Sequence, residues 1–507
     1  MKRFDKGYIY SSLVSDLFGS IVIFFLFFED IFFDESAEAE NIVSAIPFFA
    51  IALLVIYLCF IGYRIAYYRT SGYELTETEI KCQRGVFFRK RSVLDYKKVH
   101  AINKKQTLFH RIFGIAILTV DSGSTNTSHQ AEIIIIEKGK TVDALLVELN
   151  ALKETGERGT AEAVMEEQVL LSESDSLYHF TSKRKILYTF INVVSIALGT
   201  AVFGILAIAA IGACKLMLQS DFLGTWGEYF FVAALIAIGI MLLLSVFTFI
   251  GNMVRLFVGY YDFTVTKHGK EIRISFGLLE KHTNTFSYDR IKAVKISQGL
   301  VQRMLGFATI HLEVIGYTQE TGNNNVELGV LVPFCKYSEV GEILEKVLPE
   351  YIPDEKQTKS PAFFPFVSWF LLIWGIVVGV VLALGLAVMQ IFNVAPSVVL
   401  VVVCSIVGVG LLVTLLKLLS AALNYQTSGI AIHDGKITAY SGGFTKRVTV
   451  LMTKNLIAVS NVTTPLRKKA GIASLVMHIK TNALSNEVKV HIQKDALSDQ
   501  LEQLLVL

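Results

Sequence analysis

Read for polarity alone, the 507-residue chain alternates long apolar stretches with shorter segments of mixed character. A hydrocarbon core takes about 20 residues of helix to cross, because no backbone amide can be left unpaired in lipid. Six stretches approach or meet that requirement: Leu13–Phe33, Val43–Tyr63, Leu187–Ala213, Phe230–Val254, Phe363–Ile391 and Pro396–Leu423. They fall into three pairs. The first is the weakest, since Asp16, Glu29 and Asp30 flank its uncharged run, and an interfacial or re-entrant element is the alternative there. The expectation is six transmembrane helices in a multi-pass α-helical membrane protein.

The segment after each pair changes period. Short alternating runs rich in β-branched and aromatic residues, such as Glu79–Phe88, Arg91–Tyr96, Ile115–Val120 and Glu132–Ile136, read as strands. Thr107–Phe113 reads as one or two helical turns ended by Gly114. Each segment closes on an amphipathic helix: Thr141–Leu152, Ser338–Leu348 and Asp495–Leu505. The segments also share a frame. Counting from Gly85, the residues Tyr96, Val99, Ile102, Gln106, Arg111 and Gly114 stand at offsets 11, 14, 17, 21, 26 and 29. From Gly277 the same offsets give Tyr288, Ile291, Val294, Gln298, Arg303 and Gly306, without a gap. From Gly442 they give Thr453, Leu456, Val459, Thr463, Lys468 and Gly471, which makes the third copy the degenerate one. Such self-similarity is sought before any fold is assigned. Gly85, Gly277 and Gly442 interrupt strand-like runs, where a lone glycine suggests a bulge or a close backbone approach.

This order of elements, the run from Thr76 to Arg91 and the Gln-x-x-x-x-Arg-x-x-Gly spacing resemble the bacterial pleckstrin-homology-like (PH-like) domain of the DUF304 type. The arrangement of span pairs and domains resembles the YdbT type of membrane protein. The resemblance implies three cytoplasmic α+β PH-like barrel domains, each capped by a C-terminal helix. It implies no activity, because a fold hosts many functions. The expected organisation is helices one and two in 1–70, PH-like domain 1 in 71–155, an acidic linker in 156–182 and helices three and four in 183–258. PH-like domain 2 follows in 259–352, a linker with helices five and six in 353–424, and the degenerate PH-like domain 3 in 425–507.

Composition agrees with lipid contact: 53% of residues are hydrophobic and only 18% charged, too apolar for a soluble multidomain chain. The formal charge of +3 gives no global field for nucleic acid. Five scattered cysteines show neither disulfide nor metal-ligand spacing, so no metal and no cofactor is expected. Lys2, Arg3, Lys6, Arg64, Arg69, Lys183, Arg184 and Lys185 flank the apolar stretches on one side, while Asp34–Glu40 on the other is acidic. Basic flanks stay inside, which places both termini and all three mixed segments in the cytoplasm of a cell-membrane protein.

None of the common catalytic motifs is present, so no catalytic residue is named and the chain is expected not to be an enzyme. Basic residues carry the remaining signal: Arg89, Lys90, Arg91, Lys97, Lys98, Lys104 and Lys105 lie close to the first apolar pair. Anionic lipid attracts such clusters by about 1 kcal/mol per charge, and a solvated hairpin is the plainer reading. Arg89, Lys281 and Lys446 share offset 4, and Gln106, Arg111, Gln298 and Arg303 share theirs. These are candidate lipid- or partner-binding positions, with carbonyl satisfaction the structural alternative. The expected function is a scaffold or accessory protein whose PH-like domains bind a protein partner, with membrane lipids contributing. The resemblance suggests a smaller single-domain PH-like membrane protein as that partner, and a role in envelope stress or antimicrobial defence. A transporter or channel and a lipid-headgroup module are the alternatives.

Overall fold

A computed structural model describes residues 1–33, 39–99, 101–121, 133–155, 175–192, 224–268, 271–314, 329–356, 373–380, 396–463, 471–479 and 487–494, with isolated positions besides. The chain divides into two compact units. The first comprises Met1–His179, Tyr261–Arg290 and Ile315–Leu328, and the second the remainder.

In the first unit, helix α1 (Gly7–Phe33) packs beside α2 (Ala39–Thr70). A four-stranded antiparallel sheet follows, in the order β1 (Lys2–Arg3), β2 (Gly72–Leu75), β3 (Glu79–Arg84), β4 (Lys90–Asp95). Next come β5 (Ala101–Gln106), the short helix α3 (Leu108–Ile112), β6 (Ile115–Asp121), β7 (Ile133–Lys138) and helix α4 (Gly139–Thr155). Val142, Leu145, Leu146, Leu149 and Leu152 of α4 are buried at helical spacing. They close a core with Phe4, Tyr73, Ile80, Tyr96, Ile102 and Leu118. Burying one such side chain contributes about 1.5–3 kcal/mol. The strands β8 (Asp175–His179), β9 (Thr264–His268), β10 (Glu271–Phe276) and β11 (Lys281–Ser287) then join the first segment's own strands. The result is one seven-stranded sheet, β7-β6-β5-β11-β10-β9-β8.

The second unit repeats that construction. Strands β12 (Ile291–Gln298), β13 (Phe307–Val314) and β14 (Val330–Lys336) are followed by a helix over Val340–Val347. After the helix Pro396–Thr427 come β15 (Gly429–His433), β16 (Lys436–Ser441) and β17 (Lys446–Met452), and the six form one sheet, β14-β13-β12-β17-β16-β15. A three-stranded sheet, β18 (Leu456–Val462), β19 (Ile472–Ile479), β20 (Glu487–Lys494), packs over Ile430, Ile437, Leu451 and Leu501.

Two expectations are corrected. The fold is not six membrane-spanning helices in three pairs. Among the described residues one helix, Ala50–Thr70, is long and apolar enough to cross a membrane, and Val246–Gly259 and Ile373–Leu384 are apolar but shorter. Helix α1 carries Asp16, and Glu29 and Asp30 near its end, and is not among the helices that qualify. Leu187–Ala213 and Phe363–Ile391 lie largely outside the described residues, as do most of the acidic linker and of the helix expected over Asp495–Leu505. The soluble segments are also not three self-contained barrels, since strands of consecutive segments share sheets.

Candidate functional site

The glycines at the head of the shared frame make close backbone approaches rather than bulges, since a Cβ there would run into the carbonyl oxygen of Phe88, Glu280 or Thr445. Gly85, Gly277 and Gly442 sit in the turns before β4, β11 and β17 at φ values of 110°, 108° and 112°, a region that side chains avoid. Each turn aims its following strand at a neighbour. At the other end of the frame Gly114, Gly306 and Gly471 take φ values of 66°, 73° and 62°. Gly114 and Gly306 follow their short helices as expected of a C′ glycine. Thr107 caps α3 through the His110 amide.

The central geometry is a junction between strands far apart in sequence, found once in each unit. In the first, β5 pairs antiparallel with β11, placing Lys281 opposite Gln106 and Thr285 opposite Ile102. In the second, β12 pairs antiparallel with β17, placing Lys446 opposite Gln298 and Val450 opposite Val294. The register is the same in frame positions: offset 4 opposes offset 21, and offset 8 opposes offset 17. A guanidinium locks each junction from the same place. Arg111 donates to the Leu278 carbonyl at 3.0 Å, and Arg303 donates to the Gly443 carbonyl at 3.2 Å. Both acceptors lie one residue after the turn glycine. Arg290 and Asn455, both at offset 13, donate to the Val99 carbonyl at 2.6 Å and to the Lys292 carbonyl at 3.1 Å.

The glutamines act within a segment. Gln106 Nε2 donates to the Ile115 carbonyl at 2.9 Å and Gln298 Nε2 to the Phe307 carbonyl at 2.8 Å. Thr463 of the third segment donates to the equivalent Ile472 carbonyl at 3.2 Å, so the substitution there keeps the bond. Carbonyl satisfaction therefore accounts for the arginines and glutamines alike.

The basic residues do not form one patch. Arg89, Lys90 and Arg91 are exposed together at the start of β4, whereas Lys97 and Lys98 are exposed at the far end of that strand. Six strand residues span about 20 Å. Lys104 is paired with Asp143, and Lys105 lies 3.3 Å from Glu280. The His282 imidazole, bonded to Glu280, and the Lys105 ammonium hold that carboxyl down to about 2. Lys281 is exposed within its junction, and Lys446 stands 4.5 Å over the Tyr337 ring. A cleft of about 350 Å³ in the second unit is lined by Lys295, Glu313, Arg447, Glu487 and Lys489, with Lys489 and Glu487 2.7 Å apart.

Three features escaped the sequence reading. Phe87 and Phe88, 84% and 94% exposed, stand beside Arg89 on the turn before β4. Thr70, the last residue of α2, donates to the Gly85 carbonyl at 2.8 Å, so that turn lies against the end of the apolar helix. Asp16, buried in α1, accepts a two-pronged bond from Arg64 of α2 at 2.8 and 2.9 Å, with Tyr8 accepting from the same guanidinium. The aromatic pair beside a basic triplet was the available signal for the first. A lone Asp and Arg 48 positions apart give none for the last.

Strand β4 ends the first sheet and β18 ends the three-stranded one, as β1, β7, β8, β14, β15 and β20 end theirs; β4 and β18 are the two end strands that occupy the frame positions of the strands paired in the junctions.

With this geometry in hand, the profile of the bacterial PH domain matches residues 23–150 and 186–350. The chain belongs to the bacterial PH domain family. A relative is the UPF0699 transmembrane protein YdbT of Bacillus subtilis (strain 168), 23% identical over 326 residues, which cover 62% of this chain and 63% of that protein. The match thus spans just under two thirds of the relative's length. No solved structure matches. Both bacterial PH domain matches end by residue 350, before the third segment, where Thr453 and Thr463 replace the frame's Tyr and Gln.

Proposed function

We propose that the chain is a membrane-anchored, non-catalytic scaffold built from three equivalent PH-like segments, which recognise other PH-like domains through strand edges. The observation that carries this reading is the junction that recurs in each unit with one register and one arginine lock. A backbone edge supplies affinity and the facing side chains supply specificity, as in strand-addition complexes generally. Membrane attachment is supported by the apolar helix Ala50–Thr70 and by the relative's description as a transmembrane protein. The basic flanks Lys2, Arg3, Lys6, Arg64 and Arg69 favour a cytoplasmic position for the segments.

A photoreactive residue at Val93 of β4 or at Val459 of β18, in the full chain within native membrane, tests the reading. Discrete protein adducts are expected at both positions. Adducts at neither, with the protein folded and inserted, would refute the scaffold.

A second reading, lipid contact by the turn Phe87–Arg91, is favoured by the Thr70 bond that sets this turn at the end of the apolar helix. Aromatic rings with cationic neighbours suit the interfacial zone. A Phe87→Trp variant in vesicles should be quenched by lipids brominated near the headgroup, more in anionic than in neutral bilayers; no quenching in either removes this reading.

A further inference from the structure

The two junctions use complementary surfaces. A segment offers the first strand of its second sheet (β5 or β12), and the following segment offers the third strand of its first sheet (β11 or β17). Three segments in a row use two of each and leave one of each over. The leftover acceptor is β4 of the first segment and the leftover donor is β18 of the third, and each stands at an end of its sheet.

We propose that β18 of one molecule pairs antiparallel with β4 of a second copy of this chain, in the register of the internal junctions, giving head-to-tail assembly. The proposal rests on the scaffold reading and names its partner.

The frame fixes the contacts. Offset 4 opposite offset 21 places Arg89 against Thr463, and the pairs Lys90–Val462, Arg91–Asn461, Ser92–Ser460 and Val93–Val459 follow. Lys468, at the position of Arg111 and Arg303, would face the Val86 carbonyl.

The side chains at these edges match what pairing would bury. At offsets 8 and 17 the internal junctions bury Thr285 against Ile102 and Val450 against Val294, none more than 2% exposed. The corresponding Val93 is 50% exposed. At offsets 3 and 20 the first junction holds the ion pair Glu280–Lys105. The open edges carry Phe88 and Val462 there, 94% and 55% exposed, an apolar pair that gains by leaving water.

Charged residues on an edge strand commonly serve to prevent such pairing. Here the basic residue at offset 4 does not, because Lys281 and Lys446 occupy that position in strands that are paired. The contact is heterologous, so it yields a ring or a filament according to the rotation between copies.

The test uses full-length chain in detergent, in a Cys59→Ser background. Two differently tagged variants, Val93→Cys and Val459→Cys, are mixed and oxidised. A mixed disulfide at least tenfold in excess of either homodimer is expected, and Ser92→Pro on the Val93→Cys chain should abolish it. No mixed product, a Val93–Val93 product, a disulfide only within one doubly substituted chain, or a monomer that captures a different protein each overturns the proposal.

The pair Asn103→Cys and Asn284→Cys, opposite each other across the first internal junction, serves as reference. If it closes within one chain while Val93 and Val459 stay unlinked, head-to-tail assembly fails and the scaffold reading stands. If it also fails to close, the junction register falls, and both readings fall with it.

Discussion

Gly277 and Gly306 are two glycines of one segment, both at positive φ, for which the structure demands different outcomes on substitution by alanine. At Gly306, with φ of 73°, an added Cβ meets nothing within 4 Å. The cost is the left-handed penalty of about 1–2 kcal/mol, offset by about 0.4–1 kcal/mol from the stiffer unfolded chain. The net is about 1 kcal/mol. At Gly277, with φ of 108°, the added Cβ falls deep inside the contact radius of the Glu280 carbonyl oxygen. That oxygen is backbone at the start of a strand locked to β5, so relief requires the turn to move. Local strain of this kind adds about 1–3 kcal/mol, giving about 3 kcal/mol in all. Thermal unfolding followed by circular dichroism in detergent should show Gly306→Ala lowering Tm by about 2–4 °C and Gly277→Ala by about 6–12 °C. Gly306→Asn should be milder than Gly306→Ala, because Asn tolerates the left-handed region, whereas Gly277→Asn should not be rescued. Equal losses for the two alanine variants would refute the assignment of Gly277 to a turn closed on its own carbonyl.

Three further outcomes follow from single contacts. Arg64→Ala strands the buried Asp16 carboxylate between α1 and α2 and should cost about 3 kcal/mol or more; Asp16→Asn on that background should recover part of the loss, and unchanged stability of the single variant defeats the pairing. The Glu280 carboxyl is held at about 2, below its ordinary 4.5, so its contribution is present above pH 4.5 and is lost as pH falls from there through 2. After discounting for screening it amounts to about 1–2 kcal/mol; acid unfolding of Glu280→Gln should be flatter across that window, and identical pH profiles contradict the ion pair. Burial pushes the Cys335 thiol up to about 12 and raises that of Cys82 as well, so both should resist alkylation at pH 8 until the protein unfolds; rapid native labelling of either refutes the packing around it.

The local pieces were readable because their signals are local. Alternation located the strands, Gly114 and Gly306 announced the ends of their helical turns, and the amphipathic run Thr141–Leu152 announced α4, whose Leu145, Leu149 and Leu152 the core accepts. The glycine frame was legible too, and its meaning half so: an isolated Gly within β-branched residues reads equally as a bulge or a close backbone approach, and the structure decides for the approach. Sheet partners were out of reach for a physical reason. Edge pairing is made by backbone groups that every residue carries, so nothing in β5 says that β11 follows it rather than β4. Arg111 and Gln106 illustrate the same limit. Both satisfy carbonyls, yet one reaches within its segment and the other reaches Leu278 in the next. The number of membrane spans was read from apolar length, and among the described residues only Ala50–Thr70 meets the requirement.

The pairing of β5 with β11 also sets a timetable. A ribosome adding roughly 5–20 residues per second releases Gln106 long before Lys281, and roughly ten to thirty seconds pass before the complementary strand exists. During that interval the nascent first segment presents an unclosed hydrogen-bonding rim in the crowded cell. Assembly of the first sheet therefore waits on synthesis of what lies between its strands, and a chain stalled anywhere in that stretch displays a sticky rim that quality-control machinery can read.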